Sequence, residues 1–243
     1  LDNNVSTALA PNENYARELM ELHTLSVNGG YTQQDVKEVA RCFTGWTLWG
    51  RSAGASVGTF RYNNANHDNN AKVVLGTPIP AGGGMNDGML VLDILLAHPK
   101  CAEFIATKMC RRFLGENVPA SVIAGVASVF TSTGGDIKAM LRAILTPNNL
   151  ATDFGPRYKR PFHLVASALR AAGANITNAA SLRTRLTQCG HMPFLWSSPD
   201  GYPDTLEYWS GLMLPRWNVG ASLASSSISG TTIDFNAFYS GAT

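Results

Sequence analysis

Asn12-Glu13-Asn14-Tyr15-Ala16-Arg17-Glu18-Leu19-Met20-Glu21-Leu22-His23-Thr24-Leu25, followed by Asn28-Gly29-Gly30-Tyr31-Thr32 and by the apolar series Val36, Val39, Ala40, Phe43 and Trp46, is the stretch that decides the fold. Tyr15, Leu19 and Leu22 recur at i, i+4 and i+7, the spacing of one helix face. Asn28-Gly29-Gly30 ends that helix, because glycine accepts the left-handed backbone conformation of a C-cap. Thr32 caps the next helix, with Asp35 at its third position completing a box-like N-terminus. The apolar series then forms one continuous stripe along it. Neither stripe can be left in water, so an antiparallel helix pair over residues 12–25 and 32–46 is expected.

Outward from this pair the pattern changes and then returns. Val57-Gly58-Thr59-Phe60-Arg61-Tyr62 and Lys72-Val73-Val74-Leu75 read as short strands around an Asn-rich loop that holds His67 and Asp68. Gly82-Gly83-Gly84 leads into helices predicted at 87–97 and 99–114, with Pro99 well placed at the first helical position. Further helices are predicted at 120–130, 136–145, 161–172, 179–187 and 205–222. The expected architecture is mainly α: one multi-helix domain over residues 1–243 with a small β-hairpin insertion around residues 57–76.

Bulk composition narrows the class. The 243 residues are 45% hydrophobic, and the longest apolar run, Met89-Leu90-Val91-Leu92, is interrupted by Asp93. That is far short of the roughly 18 apolar residues a membrane-spanning helix needs. A net charge of +2 lacks the concentrated basic face that nucleic acid requires, and Lys108/Arg111/Arg112 and Arg157/Lys159/Arg160 read as a solvated helix face and a helix start. Charged residues make up 15%, with Asn, Ser, Thr and Gly covering the polar surface instead; roughly 25% is typical, and the balance suits an exported protein. Cys42, Cys101, Cys110 and Cys189 have no metal-ligand spacing. Cys101 and Cys110 lie about 13 Å apart along one predicted helix and cannot pair there. Buried free thiols are favoured over disulfides between other pairs.

The candidates for chemistry are few. Glu13, Arg17 and Glu21 form an i, i+4, i+8 ladder that can hold two ion pairs, and Glu18 lies close enough to Glu21 for two carboxylates to share a face. Such a pair can split into acid and base, but neutralisation by Arg17, or by Arg41 on the neighbouring helix, is the favoured reading. His23 extends the apolar stripe and is expected in the core, with no ligand one turn away to make a metal helix. His67 and Asp68 occupy a loop, where functional residues concentrate, although a histidine that merely bonds a turn is commoner. His98 before Pro99 reads as a cap. In Pro199-Asp200-Gly201-Tyr202-Pro203-Asp204, Asp204 is expected to cap a helix; Tyr202 and Trp209 are candidate stacking surfaces for a flat ligand, with packing favoured. No nucleophile elbow, phosphate loop, dinucleotide fingerprint or zinc signature occurs, so no cofactor or metal is assigned.

The segment 12–25 with Gly29-Gly30-Tyr31-Thr32, Arg41-Cys42-Phe43-Thr44-Gly45-Trp46, and Ser198-Pro199-Asp200-Gly201-Tyr202-Pro203-Asp204 together resemble the bacterial family of domain of unknown function 1800. His67 with Lys72, Leu75-Gly76, His98-Pro99, Lys108 with Arg111-Arg112-Phe113, and Arg216-Trp217-Asn218 add to the match, which runs the length of the chain in order. The resemblance implies a longer parent protein, of which this chain is a fragment trimmed at both ends. It also implies export to the periplasm or beyond, and a neighbouring secreted protein that resembles phosphatases and sulfatases. It carries no catalytic residue over, and none is inherited by His163, where relatives more often have an acidic residue. Two functions are therefore expected to compete. One is an accessory or structural role at the cell envelope; the other is a hydrolase drawing acid–base groups from Glu18, Glu21, His67 and Asp200. An enzyme should gather at least three of these in one cleft.

Overall fold

The computed structural model describes residues 1–152, 154, 158–198, 200–203 and 205–236; Arg157, Pro199 and Asp204, and with Asp204 its expected capping role, lie outside them. The chain is mainly helical, as expected, with small two-stranded antiparallel sheets. It divides into two compact units, Leu1–Gly155 and Pro156–Thr243.

In the first unit, α1 (Glu13–Glu18) starts at Asn12, whose side chain accepts the Tyr15 N–H at 2.9 Å. It runs without a break into π-helical backbone over Leu19–Thr24, closed by a Leu25 N–H to Met20 carbonyl bond of 2.7 Å. A π turn inserts a residue into the helical repeat and moves every later side chain round the axis. The buried residues are therefore Ala16, Met20, Thr24 and Leu25, with Tyr15, Leu19 and Leu22 half-buried beside them. His23, expected in the core, is exposed.

Helix α2 (Gln33–Cys42) begins with the full capping box: Asp35 N–H donates to Thr32 Oγ1 at 3.2 Å, and Thr32 N–H to Asp35 Oδ2 at 2.8 Å. It packs on α1, and Val36, Val39, Ala40 and Phe43 are all fully buried. The helix stops at Cys42 rather than reaching Trp46, because the chain turns at Gly45 with φ 78°, where a Cβ would lie 2.5 Å from the Asn63 carbonyl oxygen. Trp46 instead opens β1 (Trp46–Leu48), and its ring still meets Phe43 edge-on at 5.0 Å.

Both strands expected near 57–76 are present, each with an unexpected partner. β2 (Phe60–Tyr62) pairs with β1, and β3 (Lys72–Val74) pairs with β4 (Thr77–Ile79). The β3–β4 turn is Leu75-Gly76, both at positive φ (49° and 77°), the twist a two-residue hairpin favours. The Leu75 N–H donates to Asp35 Oδ1 at 2.8 Å, which fastens this hairpin to the start of α2.

The rest of this unit is helical: α3 (Asn86–Ala97), α4 (Pro99–Phe113), α5 (Ala120–Thr133), α6 (Ile137–Ile144) and α7 (Pro147–Ala151). His98 caps α4 as expected, its Nδ1 accepting the Lys100 N–H at 3.2 Å. α5 ends on Gly134 at φ 63°, and Asp136 caps α6. The second unit holds α8 (Pro161–Ala171), β5 (Asn175–Ile176), α9 (Ala180–Gln188), α10 (Leu206–Ser210), α11 (Met213–Ala224) and β6 (Thr231–Thr232), the two strands pairing with each other. Val165, Leu169, Leu182, Leu186, Val219 and Leu223 form its own core. The single helix expected over 205–222 is two, because Pro215 has no N–H to return to Gly211 and so cannot continue α10. All four cysteines are buried and free.

Candidate functional site

The densest chemistry of the first unit is a knot of charged and polar side chains on the loop between β2 and β3. Glycine at 45 lets the loop backbone approach the end of α2, bringing His67 beside Thr44. His67 Nδ1 lies 2.8 Å from the Thr44 carbonyl oxygen, which only accepts, so Nδ1 carries the proton and donates. His67 Nε2 faces Asp87 Oδ2 at 3.2 Å. The same carboxylate oxygen accepts Lys72 Nζ at 2.7 Å. Lys72 also donates to the carbonyls of Asn70, at 2.8 Å, and Asp68, so its three donors meet three acceptors. The side chains of His67, Lys72 and Asp87 are all fully shielded from solvent.

A second layer surrounds this trio. Arg41 Nε donates to Asp68 Oδ2 at 2.7 Å and Nη1 to Glu38 Oε2 at 2.7 Å. Asp68 Oδ1 accepts both the backbone and side-chain N–H groups of Asn70, at 3.0 and 2.9 Å. Thr44 Oγ1 donates to the Arg41 carbonyl at 2.6 Å and accepts the Asp68 N–H at 2.9 Å. Burial pushes the Asp68 carboxyl up, but the Arg41 guanidinium and the Asn70 donors outweigh it and hold Asp68 down at about 2. Asp68 also holds Arg41 protonated more firmly than usual.

The other sequence candidates have contacts of their own. Arg41 is spent on Glu38 and Asp68, not on Glu18 or Glu21. Arg17 donates to Gln33 Oε1 at 2.7 Å, and Gln33 in turn donates to Glu13 at 2.6 Å, so an amide bridges the expected ion-pair ladder. Glu21 hydrogen-bonds Tyr31, whose hydroxyl is raised by burial first and then by that carboxylate. His67 sits in the knot, between Thr44 and Asp87. A shallow cleft of about 380 Å³ lies over the knot, lined by Glu38, Arg41 and Lys72 among others.

In the second unit Tyr202 and Trp209 belong to an aromatic cluster around His191. Their ring centroids lie 4.5 and 5.0 Å from the imidazole. Trp209 is 1% exposed and donates from Nε1 to the Pro203 carbonyl at 2.7 Å; Tyr202 donates to the Met192 carbonyl at 2.9 Å. Trp209 is packed in the interior, and Tyr202 is half-buried. Asp200 is exposed and accepts Trp196 Nε1 at 3.2 Å, and hydrogen bonds from Ser198 and Trp196 lower its carboxyl. His191 Nδ1 accepts the Phe162 N–H at 3.2 Å; burial, then Arg160, His163 and Arg216, press it down to about 4, so it is neutral.

Residues 1–241 match a family described as a protein of unknown function, DUF1800. The chain belongs to the DUF1800 family. No curated protein and no solved structure matches it. The DUF1800 chain thus carries two polar centres, of which the sequence offered His67, Asp68, Tyr202 and Trp209 but not Asp87, His191 or the guanidinium of Arg216. Asp87 looked like an ordinary residue in the first turn of a helix, although its neighbourhood to Gly82-Gly83-Gly84 was a signal. A Cβ on Gly83 would collide with Asp87 Oδ1, so the glycine makes room for the buried carboxylate. His191 carries no motif, and Arg216 stands only in the short segment Arg216-Trp217-Asn218. Among the described residues no three His, Cys, Asp or Glu side chains cluster as a metal set, and no helix is long and apolar enough to cross a membrane.

Proposed function

We propose that this DUF1800 protein is an exported accessory protein of the cell envelope, acting by holding or binding rather than by turnover, alongside a secreted phosphatase- or sulfatase-like partner. The observation that carries the non-catalytic part is the engagement of His67. Both of its ring nitrogens have partners, its side chain is shielded from solvent, and the Asp87–Lys72 pair beside it is shielded too. A general base needs a lone pair within reach of substrate, and here the groups that could serve are committed to fastening residues 63–72 onto α2 and α3. The low charged fraction and the export that membership of this family implies support the location.

Two measurements on the full-length protein test this. Periplasmic extraction followed by affinity capture should recover it with the phosphatase- or sulfatase-like protein encoded beside it. A panel of chromogenic phosphate, sulfate and glycoside esters should give no turnover that depends on His67. Turnover abolished by His67→Gln in a variant that still folds would establish the hydrolase reading instead.

A further inference from the structure

The second unit has a half-open, largely apolar pocket of about 560 Å³ between α8 and α11, lined by Leu164, Val165, Ala168, Val219 and Leu223 among others. That size suits a small organic ligand. Tyr158, Lys159 and Arg216 also line it, and of these Arg216, on α11, is only 6% exposed. Its Nη1 donates to the Lys159 carbonyl at 2.6 Å, and its guanidinium stacks on the Tyr158 ring with Cζ 4.3 Å from the centroid. Those contacts fix one edge and one face. Nε and Nη2 are buried and have no hydrogen-bond partner among the described residues.

The identity of the two idle donors is informative. Nε and Nη2 point to the same side of the guanidinium, parallel and spaced to take both oxygens of one carboxylate. Burial of an arginine normally comes with an anion, since its proton cannot be given up to relieve the charge. Here the plane is held in place by Tyr158 and Lys159 while the fork meant for an anion is idle, beside a pocket lined largely by apolar side chains. We propose that this cavity binds an amphipathic carboxylate, an aliphatic chain ending in a carboxyl group, with the carboxylate on the Arg216 fork and the chain along Leu164, Val165, Ala168 and Leu223. The inference concerns the second unit alone and does not depend on how the knot around His67 functions.

Titration calorimetry of the full chain with dodecanoate, and in parallel with dodecanol, tests it. Dodecanoate should bind one per chain, roughly 10- to 100-fold tighter than dodecanol, the factor a charge-assisted bidentate pair provides. Arg216→Met should remove that preference, bringing dodecanoate down to the dodecanol affinity. Should Arg216→Met fail to fold, Gly220→Phe serves. Gly220 lines the cavity and a Cβ there meets nothing within 4 Å, so the ring should fill the space, leave the Arg216 contacts intact and abolish binding of both probes. Equal affinity for the acid and the alcohol, undiminished dodecanoate binding in either folded variant, or no binding by the unaltered chain would each overturn the proposal. So would sedimentation showing that the cavity is filled by a second copy of the chain.

Discussion

Lys72→Met removes the ammonium at the centre of the knot and keeps a side chain of similar length. Three acceptors are then stranded in the interior: the Asp68 and Asn70 carbonyls and Asp87 Oδ2, the last with only His67 left. Breaking a buried ion pair from one side costs about 3–5 kcal/mol, because the remaining charge is uncompensated. That is a large fraction of the roughly 5–15 kcal/mol that holds a domain folded. Urea melts followed by far-UV circular dichroism should lose this amount with an unchanged slope. The companion variant Asp87→Leu should lose a similar amount, but the double variant should lose at least about 2 kcal/mol less than the two singles added, since it strands no charge. A Lys72→Met loss below about 1 kcal/mol, or strict additivity in the cycle, would mean that the pair is solvated and that the knot does not hold the loop.

Three further outcomes follow from other contacts. Phe43→Ala should destabilise by about 3–5 kcal/mol in denaturant melts, because a fully buried ring is lost together with its edge-on contacts to Tyr15 and Trp46; a loss under about 1 kcal/mol would contradict the packing. Gly88→Ala should destabilise although alanine favours helix, since its Cβ would sit 2.5 Å from Trp46 Cζ2, and a rise in melting temperature would refute this contact. His191, neutral in the fold at about 4 against its ordinary 6.5, takes up its proton more readily when unfolded. Stability is therefore whole above about 6.5 and falls as pH drops towards 4, by about 3 kcal/mol in all. A pH series of urea midpoints should show this slope, and His191→Gln should flatten it.

Helix positions were legible because their starts are local. Thr32 with Asp35, His98 before Pro99 and Asp136 satisfy the first-turn N–H groups from side chains only a few residues away. The π turn after Glu18 was not, since a single inserted residue leaves no mark in a periodicity read at 3.6 residues per turn, and it carried His23 from the expected core to the surface. Strand segments near Phe60 and Val73 were visible, but three-residue strands do not announce their partners; only the Leu75-Gly76 turn specified one. The candidate site was half legible. His67 and Asp68 stood out together and Lys72 only as a strand residue and part of the family resemblance, whereas Asp87 is distant in sequence and reaches them only through the packing of α3. Arg216 was legible only as part of a short motif, because an idle guanidinium edge is a property of three-dimensional surroundings.

Histidine ring exchange tests the central claim, that His67 is a sealed structural group, most directly. The full chain would be held in deuterated buffer and the deuterium at each imidazole carbon between the nitrogens read by peptide mass spectrometry. His23 is exposed and serves as the internal reference, while His67 is 4% exposed with both nitrogens engaged. The expected result is that His67 exchanges at least 10-fold more slowly than His23, as local opening must precede its reaction. Exchange of His67 at the rate of His23 would place it in contact with solvent as a usable base, and the account of the knot would be wrong.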